Sequence, residues 1–488
     1  MLLGLDLGTS SVKALLMEES GSAAGEGSAP YPVRAPRPGW AESSPEDWWT
    51  AVLEATAAAV GRRGAEVTAL GLSGQMHGVV LADEHGLPLR PAILWADARS
   101  DGELAAYRGL DEDLRRRLAN PPAVGMAGPS LLWLRDNEPD EYASAAWALQ
   151  PKDWLRMRLT GETAAEPSDA SATLLYDLTA DDWSYAAAEE LALRAGLLAP
   201  LMPSAGVAGT LRAEAAGDLG LREGLPVAAG AADTAAAMLG TGLLRPGPVQ
   251  LTVGTGGQVV TLKGSPDPSG RTHLYRGCVP GSWYSMAAIQ NAGLALEWVR
   301  KVLGVSWEEV YEEAFAVPPD AGGVAFLPYL SGERTPRFDP GARGAWTGLG
   351  LDHTRGHLLR AALEGVAFAM REGLEALEDL GIDAPGLRLA GGGAGGSAGE
   401  PWRQLLADVL GRPLWLLPDE ISSVASARGA ALLAGLASGV YPAAEDTLSL
   451  MPEPERSISP GGADYEVAYE HYRELYPRLY GRIPETHP

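Results

Sequence analysis

The sequence contains one short pattern twice, and this repeat constrains the fold more than any other feature. Each copy has an apolar run, a glycine-threonine turn and a second apolar run, which is the arrangement of a β-hairpin. The turns are Gly8-Thr9-Ser10 and Gly254-Thr255-Gly256, and their first glycines lie 246 positions apart. Self-similarity at half the chain length predicts two domains of related topology, each opening with a phosphate-sized turn. The predicted flanking strands are Leu2 to Leu7, Ser11 to Met17, Val249 to Val253 and Gln258 to Leu262.

The chain length supports the same division. A chain of 488 residues is longer than one hydrophobic core usually organises, so we expect two large domains. The hydrophobic fraction of 46% and the charged fraction of 21% are those of an ordinary globular protein. The stretch from Gly242 to Pro248 is the best candidate boundary, which gives domains of residues 1–244 and 245–488.

Alternating helical and strand patterns predict α/β domains with mixed sheets. One helix is expected to begin at Pro45 with Ser44 as its N-cap, and a later helix is expected to be capped by Asn291. The other predicted strands are 67–73, 79–81, 387–390 and 413–417, and the other predicted helices are 104–118, 130–136, 291–302, 357–380 and 401–410.

The formal net charge of −25 argues against binding to nucleic acids or anionic membranes, which both require clustered basic residues. An anionic substrate would then be neutralised by Mg²⁺, backbone N–H groups or arginines. Cys278 is the single cysteine, so it is expected to pack in a core within a reducing compartment. No basic residue precedes Asp6 and no run of about 18 apolar residues occurs, which predicts a cytoplasmic protein.

Two aspartates lie in unusually apolar surroundings. Asp6 interrupts a predicted buried strand, and Asp233 is the one strongly polar residue in a run of glycines and alanines. A buried carboxylate needs a cation or hydrogen-bond donors nearby. Asp6 could instead cap its own turn through the N–H of Gly8 or Thr9, and Asp233 could be a helix N-cap. Phosphoryl transfer would employ both, because it uses a carboxylate as proton acceptor and carboxylates or waters around Mg²⁺.

The two glycine-threonine turns suit phosphate groups, because such turns expose backbone N–H and hydroxyl donors. Each turn alone could be merely a tight hairpin. The P-loop motif and the protein-kinase motifs are both absent from the sequence.

A third glycine-rich segment, Gly391 to Gly396, follows a predicted strand and precedes a predicted helix. Its spacing is that of a dinucleotide-binding turn, which would make the protein an oxidoreductase. It equally suits a turn against which an adenine and ribose lie flat. The oxidoreductase alternative leaves the repeated turns and both aspartates without a role.

Polar and aromatic residues after the predicted strands could bind a sugar. Gln75, Met76 and His77 follow one strand, and their side chains could hydrogen-bond to hydroxyl groups. Trp95 could stack on the C–H face of a sugar, although a core position is the usual place of a tryptophan. The histidines show no zinc-ligand spacing.

Segments from nearly the whole chain, taken together and in order, resemble the FGGY carbohydrate kinases. Gly74-Gln-Met-His-Gly78 is similar to the segment of the members that phosphorylate xylulose, whereas the members that phosphorylate glycerol have Arg-Glu after the glutamine. The matching segments are Gly4 to Lys13, Trp40 to Trp49, Gly74 to Gly78, Ala92 to Arg99, Pro151 to Leu155, Gly230 to Ala236, Phe326 to Pro336 and Gly391 to Ala394.

This resemblance implies two domains of the actin-like, ribonuclease H-like ATPase fold with the active site in the cleft between them. It implies that Asp233 deprotonates the primary 5-hydroxyl of the sugar and that Asp6 and Asp233 lie at Mg²⁺. It also implies ATP as the phosphoryl donor and a homodimer. The implied sugar site is Gln75, Met76, His77, Trp95 and Asp233, and the implied ATP site is Gly8, Thr9, Ser10, Gly254, Thr255, Gly392, Gly393 and Ala394.

The second turn departs from many relatives, which have Gly-Thr-Ser where this chain has Gly254-Thr255-Gly256. The change removes one hydroxyl from the expected phosphate site. Gly395 and Gly396 stand where an Arg or Asn followed by Ser is common. The resemblance leaves open a kinase for another ketopentose or pentitol, such as ribulose or arabinitol, and a catalytically silent sugar sensor.

Overall fold

The computed structural model describes residues 1–266, 271–390, 399–451 and 453–481. In it the first half of the chain builds one large mixed sheet, three two-stranded sheets and the helices that cover them. Its strands are β1 (Leu2–Leu7), β2 (Ser11–Met17), β3 (Ala23–Pro30), β4 (Glu42–Ser43), β5 (Ala69–Gly74), β6 (Val80–Ala82), β7 (Ala92–Ile93), β8 (Trp147–Leu149), β9 (Tyr176–Asp177), β10 (Asp182–Trp183), β11 (Val207–Thr210), β12 (Pro226–Ala228) and β13 (Ala231–Ala232). Its helices are α1 (Pro45–Val60), α2 (Leu104–Gly109), α3 (Glu112–Leu118), α4 (Ala127–Asn137), α5 (Pro139–Ser144), α6 (Pro151–Thr160), α7 (Pro167–Ala170), α8 (Tyr185–Glu190), α9 (Ala213–Leu219) and α10 (Asp233–Gly240).

The second half builds another mixed sheet with its own helices. Its strands are β14 (Val249–Val253), β15 (Gly257–Lys263), β16 (His273–Arg276), β17 (Trp283–Ile289), β18 (Ala325–Leu327), β19 (Ala345–Thr347), β20 (Leu387–Ala390), β21 (Leu414–Leu416) and β22 (Arg456–Ile458). Its helices are α11 (Gly293–Leu303), α12 (Trp307–Phe315), α13 (Arg355–Glu378), α14 (Gly399–Leu410), α15 (Asp419–Ser422), α16 (Ala425–Ala437) and α17 (Glu466–Tyr480).

The two sheets share one topology. The first has the order β11-β12-β5-β1-β2-β3, and the second has β22-β21-β20-β14-β15-β17 followed by β16. In both, the opening hairpin is antiparallel and its first strand pairs in parallel with a later strand, β5 or β20. The sequence repeat at the two glycine-threonine turns is therefore a structural repeat, and the prediction of two related α/β units with mixed sheets is confirmed.

Helix α16 joins the two halves: in the chain it lies between β21 and β22 of the second sheet, but it packs on the first sheet. Glycines let it approach closely: a Cβ atom at Gly4 would lie 1.9 Å from the carbonyl oxygen of Ala427, and one at Gly71 would lie 1.8 Å from that of Ala430. Any side chain at these two positions would displace the helix. Its Gly429 meets α10 in the same way, at the carbonyl of Ala236.

Three local predictions differ from the structure. The helix predicted over 104–118 is two helices, because the side chain of Asp111 accepts the N–H of Asp113 and starts α3. Asn291 does not cap α11; its amide bonds to the carbonyl of Gly332 and to the hydroxyl of Ser331 instead. Ser44 does precede α1, but its side chain makes no capping hydrogen bond.

Among the described residues, no helix combines the length and the apolar character needed to cross a lipid bilayer.

Candidate active site in the cavity between the two sheets

A cavity of about 320 Å³ lies between the two halves of the molecule. The first half contributes Thr9, Met76, His77, Trp95 and Asp233 to its wall. The second half contributes residues 254–257, the end of β17 and Arg334. A carboxylate, the two glycine-threonine turns and the residues predicted to bind a sugar are far apart in the sequence, but they line the same cavity.

Asp233 is the first residue of α10, with Ala232 as the N-cap, so the expectation that Asp233 itself is the N-cap is wrong by one position. Its Oδ1 accepts hydrogen bonds from the N–H of Thr234 at 2.6 Å and from the Thr234 hydroxyl at 3.2 Å. Burial, followed by the negative charge of Asp6, raises its pKa to about 7. The carboxylate is therefore poised to exchange a proton near neutral pH.

Asp6 lies in the centre of the first sheet, opposite Lys13 on β2 and Ser73 on β5. Its Oδ1 accepts a hydrogen bond from the Ser73 hydroxyl at 3.0 Å. Burial raises the pKa of Asp6, and the Lys13 charge opposes that rise only in part. The alternative in which Asp6 caps its own turn is wrong, since the N–H of Gly8 bonds to the carbonyl of Ser11.

The first turn is held from behind by side chains. The carbonyl of Gly8 accepts hydrogen bonds from the Tyr31 hydroxyl and from Nε2 of Gln75, the latter at 3.2 Å. Trp95 donates its indole N–H to the hydroxyl of Thr9 at 2.9 Å. Gln75 is buried and does not line the cavity, so the structure places it behind the turn and not beside Met76 and His77.

Ser10 completes this turn but is exposed, and its carbonyl accepts the N–H of Tyr31 at 3.0 Å. Neither Gly8 nor Ser10 is in the cavity wall, whereas Thr9 between them is.

The second turn is held by backbone groups. The carbonyl of Gly254 accepts the N–H of Gly293 at 2.9 Å, and the carbonyl of Thr255 accepts the N–H of Leu294 at 2.9 Å. Both donors are at the start of α11, where a helix has N–H groups without intrahelical partners. The N–H of Gly254 donates to the carbonyl of Gly256 at 2.9 Å, so residues 254–256 form a closed turn, and all three line the cavity.

His77 is a neutral, oriented hydrogen-bonding group. Its Nδ1 lies 2.8 Å from the carbonyl oxygen of Ala172, which can only accept, so Nδ1 carries the proton and Nε2 is an acceptor. Burial, together with the charge of Arg334, lowers the pKa of His77 to about 3. Its φ of 72° is in the left-handed region, which shows that the surrounding structure imposes this conformation.

A buried ionic cluster lies behind Asp233. Lys152 is fully buried and lies within 3.2 Å of the carboxylates of Asp153, Glu166 and Asp169. The hydroxyl of Ser168 donates a hydrogen bond to Glu166. The same hydroxyl oxygen accepts a hydrogen bond from the N–H of Ala232, the residue before Asp233, at 3.0 Å. The cluster thus supports the segment from which Asp233 projects.

Three predicted ATP-site residues, Gly392, Gly393 and Ala394, lie outside the described residues. Cys278 is buried, as predicted, and burial raises the pKa of its thiol to about 12. It is therefore an inert packing group.

The sequence reasoning missed several residues of the cavity wall. Gln258 and Gln290 are at the ends of β-strands of the second sheet, and Ser426 donates its hydroxyl to the carbonyl of Asp233 at 3.1 Å. Arg334 was missed as well, although the segment that contains it, Phe326 to Pro336, contributed to the resemblance noted above. The one sequence signal for Arg334 as a site residue was its basic side chain within a segment that resembles the family.

Comparison with known proteins agrees with this geometry. The model for the FGGY family of carbohydrate kinases, N-terminal domain, matches residues 1–240, and the model for the C-terminal domain of the same family matches residues 249–438. The xylulose kinase of Escherichia coli (strain K12) is 35% identical over 487 residues, which cover 99% of each chain. The xylulose kinase of Bacillus subtilis (strain 168) is 32% identical over 485 residues, covering 97% of this chain and 96% of that protein.

Solved structures agree as well. A crystal structure of a xyloylose kinase from Brucella ovis has a TM-score of 0.89 at 37% identity, covering 98% of this chain and 99% of that one. The match confirms the predicted two-domain α/β kinase fold, and it argues against the oxidoreductase interpretation of residues 391–396. Matching models for both domains, and relatives of this identity over nearly the full length, show that the chain belongs to the FGGY family of carbohydrate kinases.

Proposed function

We propose that this chain transfers the γ-phosphoryl group of ATP to the 5-hydroxyl of D-xylulose, giving D-xylulose 5-phosphate and ADP. The observation that carries the proposal is Asp233, a carboxylate with a pKa near 7 that shares one cavity with Met76, His77 and Trp95 and with the glycine-rich turn of residues 254–257. The names of the relatives support the choice of xylulose, because relatives that are 35% and 32% identical over nearly the full length are xylulose kinases.

The sugar is assigned to the part of the cavity near Met76, His77 and Trp95. Nε2 of His77 accepts a hydrogen bond from a sugar hydroxyl, since Nδ1 is committed to Ala172. Met76 is held by the Tyr284 hydroxyl, 3.8 Å from its sulfur, and it presents an apolar surface to the C–H groups of the sugar. A kinase for ribulose or a pentitol is the alternative.

ATP phosphates are assigned to the two glycine-threonine turns. Thr9, Gly254 and Thr255 line the cavity. Gly8 and Ser10 are residues of the first turn that do not line it, and their backbone hydrogen bonds hold the turn in shape. Backbone N–H groups and hydroxyls at such turns form a concavity that suits anions. Adenosine is assigned to Gly392, Gly393 and Ala394, in accordance with the family resemblance.

Mg²⁺ fits the carboxylates of Asp6 and Asp233. Burial raises the pKa of both groups, and the charge of Asp6 raises that of Asp233 further, so a cation beside the two carboxylates would offset their like charges. Mg²⁺ is commonly bound by one or two carboxylates together with substrate phosphates and waters. When bound, the ion would neutralise charge that develops on the phosphate oxygens.

The residues of this chain supply a general base and hold it in a fixed orientation. Asp233 accepts the proton of the 5-hydroxyl as the oxygen attacks phosphorus, and general-base help of this kind is typically worth ~10²–10⁴ in rate. Thr234 and Ser426 hold the start of α10 in place, so the carboxylate is oriented before the sugar arrives. Enclosure between the halves excludes water, which would otherwise accept the phosphoryl group.

The boundary between residues 244 and 245 stays part of this proposal. It is supported by the family models, which end at residue 240 and resume at residue 249. The homodimer and the cytoplasmic location stay predictions.

The test is a coupled assay of ADP release with ATP and Mg²⁺ against D-xylulose, D-ribulose, L-ribulose, glycerol and pentitols. We expect D-xylulose to give the highest kcat/KM by a wide margin. A different preferred sugar would contradict the substrate assignment alone. ADP release that no sugar stimulates would contradict the kinase proposal.

A further inference from the structure

The side chain of Arg334 extends from the second half of the molecule into the sugar side of the cavity. Its backbone is anchored on both sides: Glu333 accepts the N–H groups of Gln290 and Arg334, both at 2.7 Å. Thr335 donates its N–H to the carbonyl of Ala288 at 3.0 Å and accepts the N–H of Ala288 on its hydroxyl at 3.2 Å. The segment is thereby tied to the end of β17, so the position of Arg334 is set by the second sheet.

The guanidinium group of Arg334 contacts the opposite half of the molecule. Its central carbon lies 5.4 Å from the ring centroid of Trp95, which is within the range of a cation–π interaction. Within the ranges that the structure describes, the guanidinium forms neither an ion pair nor a hydrogen bond. A guanidinium has five N–H donors and is always charged, so a partly buried one without hydrogen-bond partners is matched to a ligand with acceptor atoms.

Arg334 is also the sole basic side chain among the described residues that line the cavity. Burial, followed by the charge of Arg334, lowers the pKa of His77 and of His273 on the sugar side, whereas burial and the charge of Asp6 raise the pKa of Asp233. The cavity therefore has an acceptor, Asp233, at one end and a donor-only group, Arg334, nearer the other.

We propose that Arg334 binds the carbonyl end of the open-chain ketose and is a specificity-determining residue for this site. The inference rests on the proposed function and deepens it. A ketose carbonyl oxygen can only accept hydrogen bonds, so a group with donors alone matches it better than it matches a pentitol hydroxyl, which must also find an acceptor. Asp233 receives the hydroxyl at the far end of the same molecule.

This arrangement gives sugar binding a structural consequence. His77 and Trp95 belong to the first half, while Arg334 belongs to the second, so a bound ketose bridges the two halves. The ketose thus favours the arrangement in which the glycine-threonine turns face each other across the cavity. A pentitol, which is bound by the first half alone, stabilises that arrangement of the two halves less.

The test compares Arg334→Met and Arg334→Lys with the wild-type enzyme. The matched control is Arg343→Met, at an exposed arginine in the same connection between β18 and β19, whose guanidinium donates to the carbonyls of Pro340 and Ala342. Calorimetric binding of D-xylulose and D-arabinitol without nucleotide is measured together with KM for ATP and kcat. Thermal unfolding shows whether each variant is folded. If Arg334→Met is not folded, the comparison uses Arg334→Lys, which keeps a hydrogen-bond donor.

We expect Arg334→Met to weaken D-xylulose binding by about tenfold to a hundredfold, because charged donors make the stronger hydrogen bonds. D-Arabinitol binding and KM for ATP should change by less than about threefold, and Arg334→Lys should be intermediate. Equal losses for both sugars, or no loss, would overturn the inference. So would a fall in kcat of about 10³-fold with unchanged sugar binding, which is the behaviour of an arginine that acts on the phosphoryl group. A wild-type enzyme that phosphorylates no ketopentose would instead overturn the proposed function.

Discussion

The two glycine-threonine turns have the same place in two related sheets, but different groups hold them. Behind the first turn, the carbonyl of Gly8 is bound by the side chains of Tyr31 and Gln75. Behind the second, the carbonyls of Gly254 and Thr255 are bound by backbone N–H groups at the start of α11. The same local shape is therefore stabilised by side chains in one half and by a helix N-terminus in the other.

This difference extends to the whole cavity. The first half contributes the imidazole of His77 and the carboxylate of Asp233 to the cavity wall, whereas the second half contributes its glycine-threonine turn, uncharged polar side chains and one arginine. The two halves thus share one topology but contribute different groups to the cavity. Apart from Arg334, substitutions should affect the first half through the loss of a titratable group, and the second half through changes in the backbone path.

The largest expected effect is that of Asp233→Asn. The variant keeps the volume but removes the proton acceptor, so sugar-dependent ADP release should fall by ~10²–10⁴-fold. Binding of D-xylulose, measured by calorimetry, should persist. Asp218→Asn, at an exposed aspartate of α9, is the control. If Asp233→Asn keeps near-normal turnover, the first half does not supply the base and the comparison fails.

The pH dependence should also belong to the first half, because backbone amides do not titrate. In the metal-free protein the Asp233 carboxyl should lose its proton as the pH rises through about 7, which infrared difference spectra between wild type and Asp233→Asn can follow. Asp6→Asn should lower that pKa, since it removes a like charge. Below its pKa, Asp233 is protonated and cannot accept the sugar proton, so activity should fall at acidic pH. A carboxyl that titrates at its ordinary pKa in both proteins would contradict this account.

A backbone change should disturb the second turn. A Cβ atom at Gly256 would lie 2.8 Å from the carbonyl oxygen of Ile289, so Gly256→Ala must move the turn. We expect KM for ATP to rise by about tenfold, which corresponds to the loss of roughly 1.4 kcal/mol of binding. Gly264→Ala, just after β15 and outside the cavity wall, is the control, because a Cβ there meets no atom within 4 Å. Equal effects of the two alanines would show that steric displacement is not the cause.

The smallest expected effect is that of Tyr31→Phe. It removes one of the two hydrogen bonds to the carbonyl of Gly8 and leaves Nε2 of Gln75 in place. A single hydrogen bond of this kind contributes about 1 kcal/mol, so the urea midpoint should fall slightly and KM for ATP should rise only a few-fold. Tyr185→Phe, at a tyrosine that is 55% exposed, should change neither quantity. A large loss of activity would mean that Tyr31 has a role beyond holding the turn.

Several elements of the site could be predicted from the sequence because their signals are local. The opening hairpins, the isolated carboxylates of Asp6 and Asp233 and the start of α1 each depend on residues a few positions apart. Their burial follows from the apolar residues on either side of them. Lys13, which lies opposite Asp6, is predictable in the same way from the hairpin register.

The role of Gln75 could not be predicted from its neighbours. It adjoins Met76 and His77 in the chain, yet its side chain turns to the Gly8 carbonyl while theirs face the cavity. The direction of three consecutive side chains after a strand depends on what packs against the turn. In this protein that packing comes from residues of the first hairpin and from Tyr31.

The sequence by itself determined the repeat, the α/β class, the family and the two aspartates, because each of these follows from short-range patterns of polarity and turn residues. Only the tertiary structure decided that Arg334 lies over Trp95, that Asn291 bonds to a loop and not to a helix, and that α16 of the second half covers the first sheet. These contacts join segments that are distant along the chain. They depend on how the two sheets pack around a shared helix, and local sequence patterns do not report that packing.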